Sequence, residues 1–335
     1  MAHFLFICGV ILPCIYEFIT SLFLEIAVKK IYIELSDICH LSCSFCPAPK
    51  AKRGVMSVED FGHCLEESLR FSKRIALHIL GDPCALPNLH SYLEIAKHSS
   101  KSPQIELVTS GAFFGKHRLD MLLSPPIYQL SISLEAGVDN LTQSSGKGFG
   151  AYLYSLTKVF EAHIANPRVF LNLRIQDKRT LRNKNILQNI TRFLAPFVDF
   201  GFWDRSTTKN GINSVSAERL FVDGKIEELL DSKGRIRLWK NALLVVKNSF
   251  VWAGFAPKNE AKNHKCYALR EQVGILSNGV VVPCCMDAQG EINLGNIFVT
   301  PLKQILSTKR AQNIIAGFEI GEVRENLCKT CGFWE

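Results

Sequence analysis

Ile31-Tyr32-Ile33-Glu34-Leu35, followed by Ser36-Asp37-Ile38-Cys39-His40-Leu41-Ser42-Cys43-Ser44-Phe45-Cys46, reads as a short strand running into a loop that bears three thiols. The thiols are spaced C-x3-C-x2-C, with an aromatic residue just before the last. Three thiolates on one tight loop can hold three irons of a cubane [4Fe–4S] cluster, a group that usually takes four Cys. The fourth iron is then left for a substrate or cofactor. The other readings are a zinc loop or three unrelated core thiols. Structural zinc sites pair one short-spaced couple with a second couple of Cys or His. No such couple lies nearby, since Cys64 falls in a helical pattern and Cys84 follows another strand.

Outward from this loop, residues 31 to 202 alternate short β-rich runs with helical patterns. The spacing predicts strands at Ile31–Leu35, Ile75–Leu80, Ile105–Thr109, Tyr128–Leu134, Val169–Ile175 and Phe197–Phe202. Helices are predicted after an N-cap at Ser57 with Asp60 in the third position, and near Leu89–His98, Ala151–Ala165 and Leu181–Leu194. Such alternation argues for parallel β-α units. Several strands carry a polar face at period two. Tyr32, Glu34 and Ser36 share one face, Gln129, Ser131, Ser133 and Glu135 another, and Asn172, Arg174 and Gln176 a third. His78 lies near the end of strand two and Ser110 just past strand three. Apolar faces belong against outer helices, so the polar ones predict a wet, ligand-holding interior at the C-terminal strand ends. A closed barrel would fill that space with branched apolar residues instead. Within it, His78 and Glu135 are candidate acid–base groups, beside the alternative of buried structural roles.

A second set of thiols marks the C-terminal region: Cys266, Cys284, Cys285, Cys328 and Cys331. Apolar runs flank Asn278-Gly279, a hairpin signal that returns Cys284 towards Cys266. Thr300 as N-cap and Pro301 at the first position predict a helix reaching about Ala316. Cys328 and Cys331 form a C-x2-C pair near the chain end. Four thiolates from three places can converge on a metal, and zinc and iron–sulfur readings both fit. Cys285 points to the other face of its strand and reads as a spare. Cys8, Cys14, Cys64 and Cys84 read as small hydrophobes, with a place near the cavity mouth as the alternative for Cys84. Residues 203 to 265 are less legible; Arg237–Ser249 looks like an amphipathic helix and the rest like polar linker.

Cys39, Cys43, Phe45 and Cys46 resemble the first motif of the radical S-adenosylmethionine (SAM) enzymes, C-x3-C-x-aromatic-C. Leu80-Gly81-Asp82-Pro83 is similar to their Gly-Gly-Glu-Pro-like turn, with Asp for Glu and no doubled Gly. Because backbone carbonyls of that turn hold the SAM ammonium in the family, the side-chain change is expected to matter little. The resemblance implies an α/β fold, a partial (β/α)6 TIM-like barrel with a small C-terminal β-hairpin-plus-helix cluster domain. It implies SAM contacts from Phe45, Gly81, Asp82, Pro83 and Ser133, with Asn172 or Arg174 holding the SAM carboxylate or ribose. An Arg fork suits a carboxylate because it donates two parallel hydrogen bonds. Cys266, Gly279-x4-Cys284, Leu294-Gly295-Asn296 and the final C-x2-C resemble the SPASM and "twitch" extensions of the family. Full SPASM domains carry further Cys for two clusters, so the one-cluster twitch form, known among alcohol-oxidising members, fits better. The resemblance thus implies Cys266, Cys284, Cys328 and Cys331 as ligands of one auxiliary [4Fe–4S] cluster. The implied activity is reductive cleavage of SAM and hydrogen abstraction from a small-molecule or peptide substrate, as a net oxidation. The implied redox partner is a low-potential electron donor such as flavodoxin or ferredoxin. A non-catalytic iron–sulfur or zinc-binding scaffold is the competing class, and it leaves the polar strand faces unexplained.

The expected organisation is an apolar extension at 1–28, a barrel at 29–205, a linker and helical region at 206–262, and a cluster domain at 263–335. The 335 residues are 47% hydrophobic, which supplies an extensive core without disulfides, and the grouping of the 12 Cys is ligand-like. Iron–sulfur chemistry needs a reducing compartment, so a cytoplasmic location is expected. The first 28 residues sit uneasily with that, being apolar with Glu17 and Glu25 as their charged residues. They lack the basic start and cleavage site of a signal peptide. They are read as a non-catalytic extension, with a membrane anchor flanked by Lys29 and Lys30 as the alternative. The net charge of +8 is spread over basic runs at Lys50-Ala51-Lys52-Arg53 and Lys178 to Arg182. These read as solvated faces or as attraction for an anionic substrate or acidic partner. No RNA-binding signature, phosphate loop or repeat is present, and no nucleic-acid partner is expected.

Overall fold

The computed structural model describes residues 28–47, 52–141, 147–175, 184–205, 212–247, 252–255 and 264–333. The extension before residue 28, with Cys8 and Cys14, lies outside the described residues, as do Lys50, Ala51, Gln176, the run 178–182 and the predicted helical residues 181–183.

The barrel half runs β1 (Lys30–Ile33), α1 (Val58–Ser68), β2 (Arg74–Leu77), α2 (Leu89–Lys97), β3 (Gln104–Thr109), α3 (Leu119–Leu122), β4 (Ile127–Ser133) and α4 (Leu134–Leu141). It continues through α5 (Lys147–Ala165), β5 (Phe170–Ile175), α6 (Lys184–Leu194), α7 (Gly201–Arg205), α8 (Ser214–Val222), β6 (Arg235–Trp239) and β7 (Ala242–Val246). The C-terminal part adds β8 (Gln272–Ile275), β9 (Val280–Val282), β10 (Gly295–Asn296), α9 (Leu302–Leu306), α10 (Lys309–Glu319) and α11 (Asn326–Lys329). The ten strands form one sheet in the order β10-β9-β8-β1-β2-β3-β4-β5-β7-β6. Strands β1, β2, β3, β4, β5 and β7 are mutually parallel neighbours, the six staves of a partial barrel.

Alternation along each strand sorts the two faces. Ile31 and Ile33 of β1, Leu107 of β3 and Leu171, Leu173 and Ile175 of β5 are fully buried beneath the helices. Each such side chain contributes about 1.5–3 kcal/mol by leaving water. Their neighbours Tyr32, Glu106, Asn172 and Arg174 face the other way, into the barrel. Helix α1 starts as predicted: the Ser57 hydroxyl accepts from the Asp60 N–H at 2.9 Å and donates to the Asp60 carboxylate at 2.7 Å.

Three predicted elements are corrected. Phe197–Phe202 is not the sixth strand, since Pro196 lacks an N–H and a 3-10 turn at Ala195–Phe197 leads into α7. Its apolar residues instead feed an aromatic cluster, with Phe197 packed on Phe160, Phe193 and Trp239. The sixth stave is β7, inside the stretch read as an amphipathic helix. There Lys240-Asn241 makes a tight turn, with Asn241 at φ 59°, and β6 and β7 pair antiparallel. The predicted helix from Thr300 to Ala316 is two helices. Pro301 is the N-cap of α9, and a break at Ser307 lets Thr308 cap α10 by accepting from the Ala311 N–H.

The C-terminal hairpin forms around Asn278-Gly279, with Gly279 at φ 82°. It does more than fold on itself. Strand β8 pairs in parallel with β1 over Lys30↔Gln272 to Ile33↔Ile275, so the C-terminal region extends the barrel sheet. Among the described residues, no helix is long and apolar enough to cross a membrane.

Candidate functional site

Cys39, Cys43 and Cys46 lie together beyond the C-terminal end of β1, each partly exposed. Burial raises the Cys43 thiol to about 12, the charges of Cys46 and Cys39 add to the rise, and a hydrogen bond from Asn140 opposes it. Two residues at the end of α4 grip the loop. Asp139 accepts from the Ser44 N–H at 2.5 Å, and Asn140 accepts from the Ser42 N–H at 2.7 Å while donating to the Cys43 sulfur at 3.1 Å. The Phe45 carbonyl accepts from the Trp252 indole N–H at 2.9 Å. Sequence reasoning missed Asp139, Asn140 and Trp252, since nothing local to them signals a contact roughly a hundred or more residues away.

The Gly81 turn is set against the same loop by the parallel pairing of β1 and β2. Gly81 has φ 67°, and a Cβ there would stand 2.2 Å from the Ser36 carbonyl oxygen. Only glycine permits that approach. Pro83 is buried, and the buried Asp82 carboxylate is taken up locally. It accepts from the Ser110 hydroxyl at 2.6 Å, the Ser110 N–H at 2.8 Å, the Cys84 N–H at 2.9 Å and the Thr109 hydroxyl at 3.0 Å. The side chain builds the turn, and the Asp82 and Pro83 carbonyls accept from the N–H groups of Ala85 and Leu86. Cys84 and Cys64 are fully buried, as small hydrophobes are.

Polar residues fill the interior, and they centre on Glu106, which the sequence reading passed over. Its carboxylate pairs with Lys30, accepts from Arg174 at 2.6 Å and from Gln129 at 2.8 Å, and has Ser131 at 3.3 Å. Burial works to raise the Glu106 carboxyl, but Lys30 and Arg174 overcome it and hold the group at about 2. Arg174, expected to face SAM, is therefore already ion-paired on one side. Asn172 sits opposite Ser131, and Ser133, the last residue of β4, sits opposite Arg174. His78 is driven down to about 4 by burial and by the charges of Arg174 and Lys30, and its buried Nδ1 has no partner. It is a neutral imidazole. Glu135 opens α4, one turn before Asp139. Glu34, fully buried, is matched by Arg53 in a two-bond fork of 2.9 and 2.8 Å and caps the N–H groups of Leu80 and Ser277. Arg53 is thus a buried partner, not part of a solvated basic run.

The second thiol set lies in the C-terminal region. Cys266, Cys284, Cys328 and Cys331 line one cavity of about 240 Å³, with Met286 and Asp287 beside them. Burial raises all four thiols, and the charge of Cys266 further raises Cys284, Cys328 and Cys331. Raised in this way, the four groups rest as neutral thiols, and a bound cation would be needed to hold them as thiolates. Cys285 is turned away, hydrogen-bonded to Tyr32 and 3.6 Å from Gln272. Among the described residues, no three His, Cys, Asp or Glu side chains close around a point suited to a single metal ion. The cavity has the room that a cluster needs.

Residues 266–332 match the SPASM family, an iron–sulfur cluster-binding domain. The chain carries a SPASM domain. Its whole architecture is similar to solved radical SAM proteins. BtrN in complex with AdoMet and 2-DOIA is 17% identical, with a TM-score of 0.50 and coverage of 91% of this chain and 92% of that one. SuiB of Streptococcus suis bound to S-adenosylmethionine is 14% identical, with a TM-score of 0.54 over 91% and 69% of the two chains. The same protein bound to the precursor peptide SuiA gives 12% identity and a TM-score of 0.54 over 91% and 70%. At such identities the likeness is one of fold, the partial barrel with its cluster-binding extension. No curated protein matches the chain by sequence.

Proposed function

We propose that this protein is a radical SAM enzyme that oxidises a small-molecule or peptide substrate. The observation that carries the reading is the pairing of two thiol sets on one sheet: Cys39, Cys43 and Cys46 beyond β1, and Cys266, Cys284, Cys328 and Cys331 around one cavity beside β8. The first set would hold a [4Fe–4S] cluster with one iron left for SAM, and the second a fully ligated cluster. Those groups supply the chemistry when bound: reductive cleavage of SAM to methionine and a 5′-deoxyadenosyl radical, hydrogen abstraction from the substrate, and removal of the electron left behind.

The chain's own residues bind, orient and shield. The turn Gly81-Asp82-Pro83 offers backbone carbonyls to the SAM ammonium, and its seat on Ser36 fixes it relative to the cysteine loop. Phe45, Ser133 and Asn172 would contact SAM, and Arg174 would present the part of its fork not bound to Glu106. Oxidation of a C–H next to a hydroxyl also releases a proton. His78, with an unpartnered Nδ1, is one candidate acceptor, although burial and the charges of Arg174 and Lys30 hold it down to about 4 and so weaken it as a base. Glu135 is the second candidate. A low-potential donor of the flavodoxin or ferredoxin type supplies the electron. BtrN and SuiB, crystallised with a small molecule and a peptide respectively, support both substrate classes.

Anaerobic reconstitution, then SAM and dithionite, tests the reading. The expected outcome is 5′-deoxyadenosine from the wild type and at least a hundredfold less from Cys43→Ala. A filled first cluster that yields none sinks the enzyme reading. Iron and zinc analysis reports the second site, where zinc with half the iron would replace the auxiliary cluster.

A further inference from the structure

The Asn140 side chain makes three contacts that only one orientation of its amide satisfies. Its Oδ1 accepts from the Ser42 N–H at 2.7 Å, and its Nδ2 donates to the Ala136 carbonyl at 2.8 Å and to the Cys43 sulfur at 3.1 Å. Turning the amide over would set N–H against N–H and oxygen against both the carbonyl and the sulfur. Network geometry of this kind is what assigns amide orientation. The donor aimed at Cys43 is therefore fixed by the backbone around it.

We infer that Asn140 tunes the N-terminal cluster, holding its reduction potential up through an N–H···S hydrogen bond to Cys43 while ordering the loop through Ser42. Reduction adds negative charge that the thiolate sulfurs share, and a donor to sulfur stabilises the more negative state. The inference rests on the reading that Cys39, Cys43 and Cys46 hold a cluster. Asp139 provides the contrast. It grips the neighbouring Ser44 through N–H and hydroxyl. It orders the loop through Ser44 and acts on Cys43 through its negative charge rather than by donating to the sulfur. Asn140 is thus a positioning residue with an electronic effect of its own.

The test is a redox titration, followed by electron paramagnetic resonance, of the centre whose spectrum SAM perturbs. Asn140→Asp keeps the shape and the acceptor for Ser42 but replaces the donor with a carboxylate oxygen. Its expected midpoint lies lower by at least a tenfold change in the reduced-to-oxidised ratio, about 59 mV for one electron. Asp139→Ala is expected to hold less cluster, with the midpoint of the loaded fraction not lowered, since the substitution takes a negative charge away from Cys43. Equal midpoints for wild type and Asn140→Asp overturn the inference, and so does an equal shift in Asp139→Ala. If Asn140→Asp holds no cluster, wild-type protein labelled with nitrogen-15 in its asparagine side chains decides. A nitrogen coupling to the reduced centre that changes with the isotope supports the bond, and its absence overturns it. Wild-type protein that forms no such centre overturns this inference along with the enzyme reading. A centre that cleaves SAM but ignores Asn140 overturns the inference alone.

Discussion

Glu106 is the residue on which the interior depends. Three strands send it Lys30, Gln129, Ser131 and Arg174, and its carboxylate answers two cations in a space largely closed to water. Removing one member of a buried charge network leaves the others uncompensated, and that costs far more than the network contributes. Glu106→Gln should therefore destabilise the protein by about 3 kcal/mol or more. Urea unfolding is the check, and a loss under about 1 kcal/mol would mean that solvent reaches the site. The residue was readable only as a polar position in the apolar run Gln104 to Thr109. Its charged partners Lys30 and Arg174 lie 76 and 68 residues away on either side, and that juxtaposition is set by strand order rather than by anything local.

At the scale of elements, the first five staves, the capping box at Ser57 and the Asn278-Gly279 hairpin were all legible. Each follows from short-range chemistry: period-two burial, a hydroxyl three residues before a carboxylate, a glycine at positive φ. The β6–β7 hairpin was not. Leu243 to Val246 suits a strand or a helix equally, and the deciding signal is Asn241, whose left-handed backbone Asn tolerates better than most residues. Asn241→Val should cost about 1–2 kcal/mol, while Asn241→Gly should stay within about half a kcal/mol of wild type. Thermal melts of the two variants decide it, and equal melting temperatures would show that the turn carries no strain. The break between α9 and α10 has the same origin. Thr308 competes for the role of cap within a stretch that also reads as continuous helix.

At the scale of the whole molecule, the C-terminal region is part of the barrel sheet. β8 lies on β1, and Glu34 at the end of β1 binds Arg53 and the N–H groups of Leu80 and Ser277. Arg53, Leu80 just before the Gly81 turn and Ser277 in the C-terminal hairpin thus share one buried carboxylate. Barrel and C-terminal region should therefore unfold in a single calorimetric transition, and two separate transitions would show that they are independent.

By itself, the sequence determined how the thiols are grouped along the chain, the parallel β-α order and the polar side of several strands. All of these rest on spacing and side-chain type within a few residues. Only the tertiary structure decided which strand closes the barrel, that the C-terminal hairpin adds to its edge, that Glu106 claims Arg174, and that Asn140 meets Cys43. Those outcomes depend on contacts between distant segments, where the burial and pairing of one element are fixed by the placement of another.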